Sequence, residues 1–339
     1  MAQRTDSAVK VIDLTSFRSE TTEPMSDELK IVFLGTGASV PSKRRGLPSL
    51  AVVSDGEIFL FDCGESTQMK IREAGLSPSR IQHIFISHLH GDHVFGLPGF
   101  LTTQQMMGRT NGVTIYGPAG IRYFLDSIMS ATGSTVTYPI EIIEFSEIFP
   151  LEFRVKSFRI TAAALEHRGV CYGYRFDEDQ KPGKFDVKMA ERLKIPNDSS
   201  RTELQQGRSI QVAGREIPPE EVLGPPRPGR SFAYCTDTRP CDNGANLALE
   251  VDVLIHDSTF ADDHSDWAIQ TLHSTSREAA LLAARQQVGR LMLWHISNRY
   301  DESQEIELLN QAREHFSDTY LTYDFDVITL SRLKSRADA

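Results

Sequence analysis

Residues 87 to 93 read SHLHGDH, which places His88, His90, Asp92 and His93 within six positions of a chain that has ten histidines in all. Imidazole nitrogens and carboxylate oxygens are the ligands that zinc takes in hydrolytic sites, where an open position holds a water whose pKa falls to about 7. The apolar run IFIS ahead of His88 reads as a buried strand, and Gly91 allows the turn that follows. His88 and His90 are two apart and point the same way in extended backbone, whereas Asp92 and His93 lie further round the turn and face a neighbouring position. That arrangement suits two adjacent metals. A polar turn of solvated histidines is the plainer alternative; it fits a lone histidine better than HxHxDH directly after an apolar strand.

One turn cannot complete two metal sites, so further ligands are expected at the ends of other strands. His167 follows the apolar run ITAAALE, Asp237 follows FAYCT, and His295 follows LMLW. Active sites of open α/β sheets gather at strand ends, where these three fall. Each taken singly could be a buried histidine or a turn aspartate; together with the HxHxDH turn they form a candidate ligand set.

The elements that must position these residues are legible as short apolar runs separated by turns. KIVFLGTG, SLAVVS, GEIFLFDCG, IQHIFISH, GVTIYGP and FRVKSFRITAAAL read as strands of buried sheets. Helical patterns are predicted over Thr67–Ala74, Ile121–Ala131, Ser276–Gln287 and Glu305–Phe316. Strands that first run as successive hairpins and later alternate with helices predict two sheets packed face to face with helices outside. Residues 1–27 are rich in Ser, Thr and charge and read as a mobile leader to a main domain over 28–339. Within that domain, residues 176–230 are polar and punctuated by Pro and Gly. They read as an inserted flexible arm with one short helix candidate over Val187–Leu193.

Composition narrows the class. A chain of 339 residues at 40% hydrophobic content can bury a large core. It has no apolar run near the ~20 residues of a membrane span, and its first residues lack the apolar middle of a secretory signal. Four cysteines, Cys63, Cys171, Cys235 and Cys241, include no CxxC pair. Reduced thiols in a cytoplasm fit best. The formal net charge of -10 argues weakly against a nucleic-acid coat, yet it says little about a local basic patch, so RNA stays open as a substrate.

With these residues in place, the chain resembles the metallo-β-lactamase superfamily and, within it, the ribonuclease Z family, whose enzymes remove 3′ trailers from tRNA precursors. The resemblance spans residues 29 to about 301. It rests on FLGTGASVPSK, FDCGESTQ, SHLHGDHVFGLPG, VTIYGPAGI, EHRGVCYGYRF, KPGKFDV, VLGPPRPGR, AYCTDTRPC, HSTSREAA and HISNRY. It implies a four-layer αββα sandwich with two zinc ions per subunit: His88, His90 and His167 hold one, Asp92, His93 and His295 surround the other, and Asp237 bridges both. It further implies that Asp62 supports the metal loop from behind, that Asp92 acts as general base, and that His273 is the leaving-group acid. His273 could otherwise be the solvated neighbour of a Ser/Thr-type helix start. The products would be a tRNA 3′-hydroxyl and a trailer 5′-phosphate, and the family commonly forms homodimers.

The chain departs from the family in four places. PSKRRG, with Lys43, Arg44 and Arg45 as expected substrate contacts, has Gly46 where the family often has asparagine. GESTQ has Ser66 in place of glycine, and HDST has Asp257 for a glutamate of longer reach toward His273. In the arm, a tRNA-gripping exosite in bacterial relatives, Asp198 and Ser199 replace a Gly-Pro pair. The arm still carries cations, among them Lys184, Lys188 and Arg192, that could neutralise phosphates or simply form a solvated face. The departures motivate alternatives: a two-metal phosphodiesterase acting on a small diester such as a cyclic nucleotide or on another RNA, or a non-catalytic RNA-binding scaffold. A lactamase or thioesterase would share the HxHxDH site but gives no reason for the basic arm.

Overall fold

A computed structural model of the chain describes residues 28–146 and 150–330; the expected leader, 1–27, lies outside them. The strand Leu29–Gly35 shows how an unbroken apolar run is used. Leu29, Ile31 and Phe33 point into one apolar cluster while Val32 and Leu34 point into another on the opposite face. A strand with both faces covered has no use for polar alternation.

That strand belongs to a seven-stranded sheet ordered Val327–Leu330, Leu29–Gly35, Ser49–Ser54, Glu57–Phe61, Ile81–Phe85, Val113–Pro118 and Ile140–Phe145. The first three neighbouring pairs are antiparallel and the last three parallel. A second seven-stranded sheet repeats the plan: Leu151–Val155, Phe158–Ala164, Tyr172–Glu178 and Ser231–Cys235 are antiparallel neighbours, and Val253–Asp257, Arg290–Trp294 and Thr319–Leu321 follow in parallel. Hairpins give way to helical crossovers in each half, as the order of patterns in the sequence predicts.

The sheets face each other across an aromatic core in which Phe33, Phe59, Phe61 and Phe85 of one meet Tyr174, Phe176, Phe232, Tyr234 and Trp294 of the other. The outer face of the first sheet is covered by helices Thr67–Glu73, Gly96–Met106 and Ile121–Thr132. The second is covered by Asp242–Ala248, Ser276–Arg285 and Glu302–Arg313. This is the αββα sandwich.

Several elements differ from the sequence-based expectation. Gly96–Met106 is a helix outside the expected patterns; Pro98 sits in its first turn, where its missing N–H costs nothing, and Leu97, Phe100 and Leu101 bury it. The last helix starts three residues before the expected Glu305, because Asp301 and Gln304 form a reciprocal capping box. Gly35 is needed for close approach: a Cβ there would lie 1.9 Å from the Leu47 carbonyl oxygen. Ser66 sits at φ 68°, a left-handed conformation that explains why glycine suits that position.

The arm also differs. Pairing of Tyr172–Glu178 with its neighbour runs through residue 177, so residues 176–178 belong to the sheet and the insertion begins at Asp179. Beyond the helix Val187–Arg192, it contains a second helix, Ser199–Gln205, and a hairpin of Ile210–Val212 with Arg215–Ile217. Ala190, Ile195, Leu204, Ile210, Ile217 and Val222 form a small core of its own. Asp198, where the family has part of Gly-Pro, accepts the Ser200 N–H at 2.9 Å and caps the second helix.

Candidate metal centre

The candidate ligands converge at the ends of strands. His88 and its turn follow Ile81–Phe85, His167 follows Phe158–Ala164, Asp237 follows Ser231–Cys235, and His295 follows Arg290–Trp294. Donor atoms of His88, His90, His167 and Asp237 lie within 4.8 Å of one another, and so do those of Asp92, His93 and His295. Asp237 joins the two groups. Its Oδ2 is 3.6 Å from His88 Nε2 and 3.7 Å from His167 Nε2, while its Oδ1 is 3.2 Å from both His93 Nε2 and His295 Nε2. Asp92 Oδ2 lies 3.7 Å from His93 Nε2 and 3.6 Å from His295 Nε2.

Hydrogen bonds behind the rings settle which nitrogen faces inward. His93 Nδ1 donates to Asp62 Oδ2 at 2.7 Å, and His167 Nδ1 donates to the Leu272 carbonyl at 3.0 Å. Ser87 Oγ donates to Asp62 and accepts from His88 Nδ1 at 2.9 Å. Thr259 Oγ1 donates to Asp257 Oδ1 at 2.7 Å and accepts from His295 Nδ1 at 2.9 Å. Each Nε2 is thereby left with a lone pair aimed at the centre. In the first group, His90 Nδ1 completes the convergence, 2.9 Å from His88 Nε2 and 3.2 Å from His167 Nε2.

Lone pairs so close repel unless a cation lies among them. His93 Nε2 and His295 Nε2 are buried and have no hydrogen-bond partner, the pattern expected of donor atoms awaiting a metal. The residues present therefore fit two cations. The electrostatics agree. Burial would raise the Asp237 carboxyl, yet the imidazoles of His295, His93 and His88 bring it well below its usual range. Burial would lower His93, but Asp237, Asp62 and Asp92 hold it well above its usual value. The chain concentrates negative charge where a cation would sit.

Asp62 ties the loop together. Besides His93 and Ser87 Oγ, it accepts the Ser87 N–H at 2.7 Å and the Tyr234 hydroxyl at 2.7 Å, the latter from the opposite sheet. Asp62, Asp237 and His295 all adopt left-handed backbone, with φ of 53°, 49° and 61°. Each such non-glycine costs on the order of 1–3 kcal/mol, strain that clusters where a site must be held in one geometry.

His273 stands at the edge of this group, its ring stacked on His295 at 5.2 Å. Asp257, though shorter than the family glutamate, reaches His273 Nδ1 at 2.7 Å, so the shortening does not break the contact. Burial would lower the His273 pKa, but the Asp257 carboxylate more than offsets it and raises it to about 9. Arg239 donates to the His273 carbonyl at 2.7 Å and is itself held by Glu278, which closes a capping box with Thr275. His90 is exposed and Asp92 and His273 keep slight access, so the centre opens to solvent on that side.

The expected substrate contacts divide. Lys43 is exposed; Arg44 is exposed but bound to the Tyr300 carbonyl at 2.6 Å and to Glu305 at 3.3 Å. Arg45 is a correction: it is 3% exposed and donates to Glu305, Thr36 and the Thr322 carbonyl, so its cation is enclosed in the protein. Lys184, Lys188 and Arg192 are exposed on the arm. Sequence reasoning passed over Ser87, Tyr234, Thr259, Arg239 and Glu278. Only Glu278 had a local signal, the T-x-x-E capping pattern; the others act through contacts between distant segments.

Comparison with known proteins places this geometry. A family model described as Anti-Pycsar protein Apyc1 matches residues 29–167. A ribonuclease Z from Prochlorococcus marinus is 40% identical over 306 residues, which cover 88% of this chain and 98% of that protein. A ribonuclease Z from Exiguobacterium sibiricum is 38% identical over 303 residues, with 89% and 99% covered. The crystal structure of human tRNase Z, short form, superposes with a TM-score of 0.65 at 29% identity, covering 88% of this chain and 98% of its own. With identity of this order sustained along nearly the whole length of those relatives, the chain belongs to the ribonuclease Z family of metallo-β-lactamase-fold proteins.

Proposed function

We propose that this protein is a metal-dependent endoribonuclease that cuts the phosphodiester joining the 3′ trailer to a tRNA precursor, leaving a tRNA 3′-hydroxyl. The observation that carries this reading is Asp237, which offers one carboxylate oxygen to each of two histidine groups in a chain of the ribonuclease Z family. His88, His90, His167 and Asp237 would hold one cation; Asp92, His93, His295 and Asp237 would hold the other. Five imidazoles and two carboxylates favour zinc. When bound, the pair would supply Lewis acidity toward a phosphate oxygen and acidify a water.

The chain's own groups do the rest. Asp92 is positioned by the Ser39 N–H, which donates to its Oδ2 at 2.9 Å, and serves as general base. His273, kept protonated through neutral pH by Asp257, delivers a proton to the departing oxygen. Asp62 and Asp257 orient the histidines from behind. Lys43 and Arg44 near the site, and Lys184, Lys188 and Arg192 on the arm, contact phosphates of the RNA. We place the enzyme in the cytoplasm as a homodimer, on the reduced cysteines and on the family resemblance. Among the described residues no helix is long and apolar enough to cross a membrane.

The test compares a tRNA precursor bearing a trailer with a small chromogenic phosphodiester, each with and without chelator. Chelator-sensitive release of the trailer with a 5′-phosphate is expected. Efficient hydrolysis of the small diester without precursor cleavage would instead favour a paralogous phosphodiesterase, the reading that Gly46, Asp198 and Ser199 motivate.

A further inference from the structure

The two ligand groups are not braced in the same way. Of the two groups, residues 36–39 hydrogen-bond to the segments of the second. The Thr36 carbonyl accepts the Ile296 N–H at 3.0 Å, next to His295, and Gly37–Ala38 pairs in parallel with Ile296–Ser297. Ser39 N–H donates to Asp92 Oδ2 at 2.9 Å. None of these bonds reaches His88, His90 or His167.

What fixes this stretch is a carboxylate far along the chain. The Asp324 side chain is 6% exposed. Its Oδ1 accepts from Thr36 N at 3.0 Å and Thr36 Oγ1 at 2.8 Å, and its Oδ2 accepts from Gly46 N at 2.7 Å and Lys70 Nζ at 3.0 Å. Gly46 leaves it room: a Cβ there would lie 3.3 Å from Oδ2 and 3.2 Å from Lys70 Cε. Four donors on one buried carboxylate make a rigid anchor.

We propose that Asp324 is a positioning residue for the second cation position, acting through Thr36 on the His295 segment and through residues 36–39 on Asp92, without touching the first. This rests on the two-cation reading. Metal-stripped protein titrated with zinc against a chromophoric chelator tests it. Two equivalents are expected for the natural sequence. In Asp324→Asn, which keeps the shape but loses the charge and one acceptor, one equivalent should weaken by about 10- to 100-fold, the scale for groups that orient metal ligands. The other should stay unchanged. Adding Asp324→Asn to His295→Ala should not weaken the equivalent that remains.

Thr36→Val should reproduce the selective loss and Thr36→Ser should reverse it. That pair decides the matter if Asp324→Asn fails to fold, as read by thermal melting of the stripped protein. Equal weakening of both equivalents, or of neither, would overturn the inference. A natural protein that takes up no zinc would sink the two-cation reading instead.

Discussion

The metal centre and the arm are built on opposite principles. Much of the centre is fixed by groups remote in sequence: His93 is held by Asp62, which takes a bond from Tyr234 on the opposite sheet, and His167 is held by the Leu272 carbonyl. The arm is nearly self-contained, with six core residues drawn from positions 190 to 222 and helix caps supplied by immediate neighbours. Its Lys184, Lys188 and Arg192 are exposed, whereas Asp62, His93 and Asp237 of the centre are buried and paired. The ligand set is thus tied to the integrity of the whole sandwich, while the proposed RNA contacts of Lys184, Lys188 and Arg192 sit on a module with its own small core. Asp198 departs from the family in the arm while the ligand set stays complete.

The largest expected effect comes from the one side chain shared by both cation positions. Asp237→Ala removes an oxygen from each, so metal analysis should show loss of both cations. Cleavage of precursor and small diester should fall together by about 10³-fold or more, the scale for losing charge stabilisation at a reacting phosphate. Retained turnover of either substrate would break the assignment of all chemistry to this centre. Next in size, His273→Ala should slow precursor cleavage by about 10²- to 10⁴-fold with cation content unchanged, as expected of a lost general acid.

The partner of His273 gives a direction in pH. Its pKa is raised to about 9 by Asp257, so the acid form persists below that value and is lost as pH rises through it. Two bound cations would lower the figure, but the carboxylate still acts upward. Asp257→Asn should therefore move the alkaline limb of kcat/KM to lower pH. A limb that stays in place would mean that another group donates the proton.

Much of the centre was legible because its residues occupy strand ends, and strand ends are marked by the close of apolar runs. HxHxDH, His167, Asp237 and His295 were found that way. Thr259, Tyr234 and Ser87 were not, because they owe their roles to contacts between distant segments that no local pattern encodes. Arg45 shows the converse error. Beside Lys43 and Arg44 it reads as part of a basic loop, but a buried Glu305 claims it. In the arm, polar composition hid a small core, since six apolar side chains spread over a Pro- and Gly-rich stretch give no clear period.

A smaller effect should separate binding from chemistry. Replacing Lys184, Lys188 and Arg192 together by Ala should weaken precursor binding and reduce the slope of log K against log salt by up to about 3, one for each phosphate left without its cation. Hydrolysis of the small diester should not change. If both substrates suffered alike, the arm would be supporting the sandwich instead of the RNA, and the contrast between the two regions would fail.

The smallest expected effect concerns Asp198, and it asks whether a departure from the family is a defect or a substitute. Its side chain caps Ser199–Gln205 by accepting the Ser200 N–H, and the arm's core includes Leu204 from that helix. Removing the cap in Asp198→Ala exposes the first turn to fraying. Hydrogen exchange should quicken over residues 200–203 and nowhere in the sandwich, because the arm's contacts are local. Precursor KM should rise only slightly, with kcat and zinc content unchanged. Faster exchange without any change in KM would show that the helix is scaffold for the arm alone; a collapse of kcat would show that the arm and the centre are coupled after all.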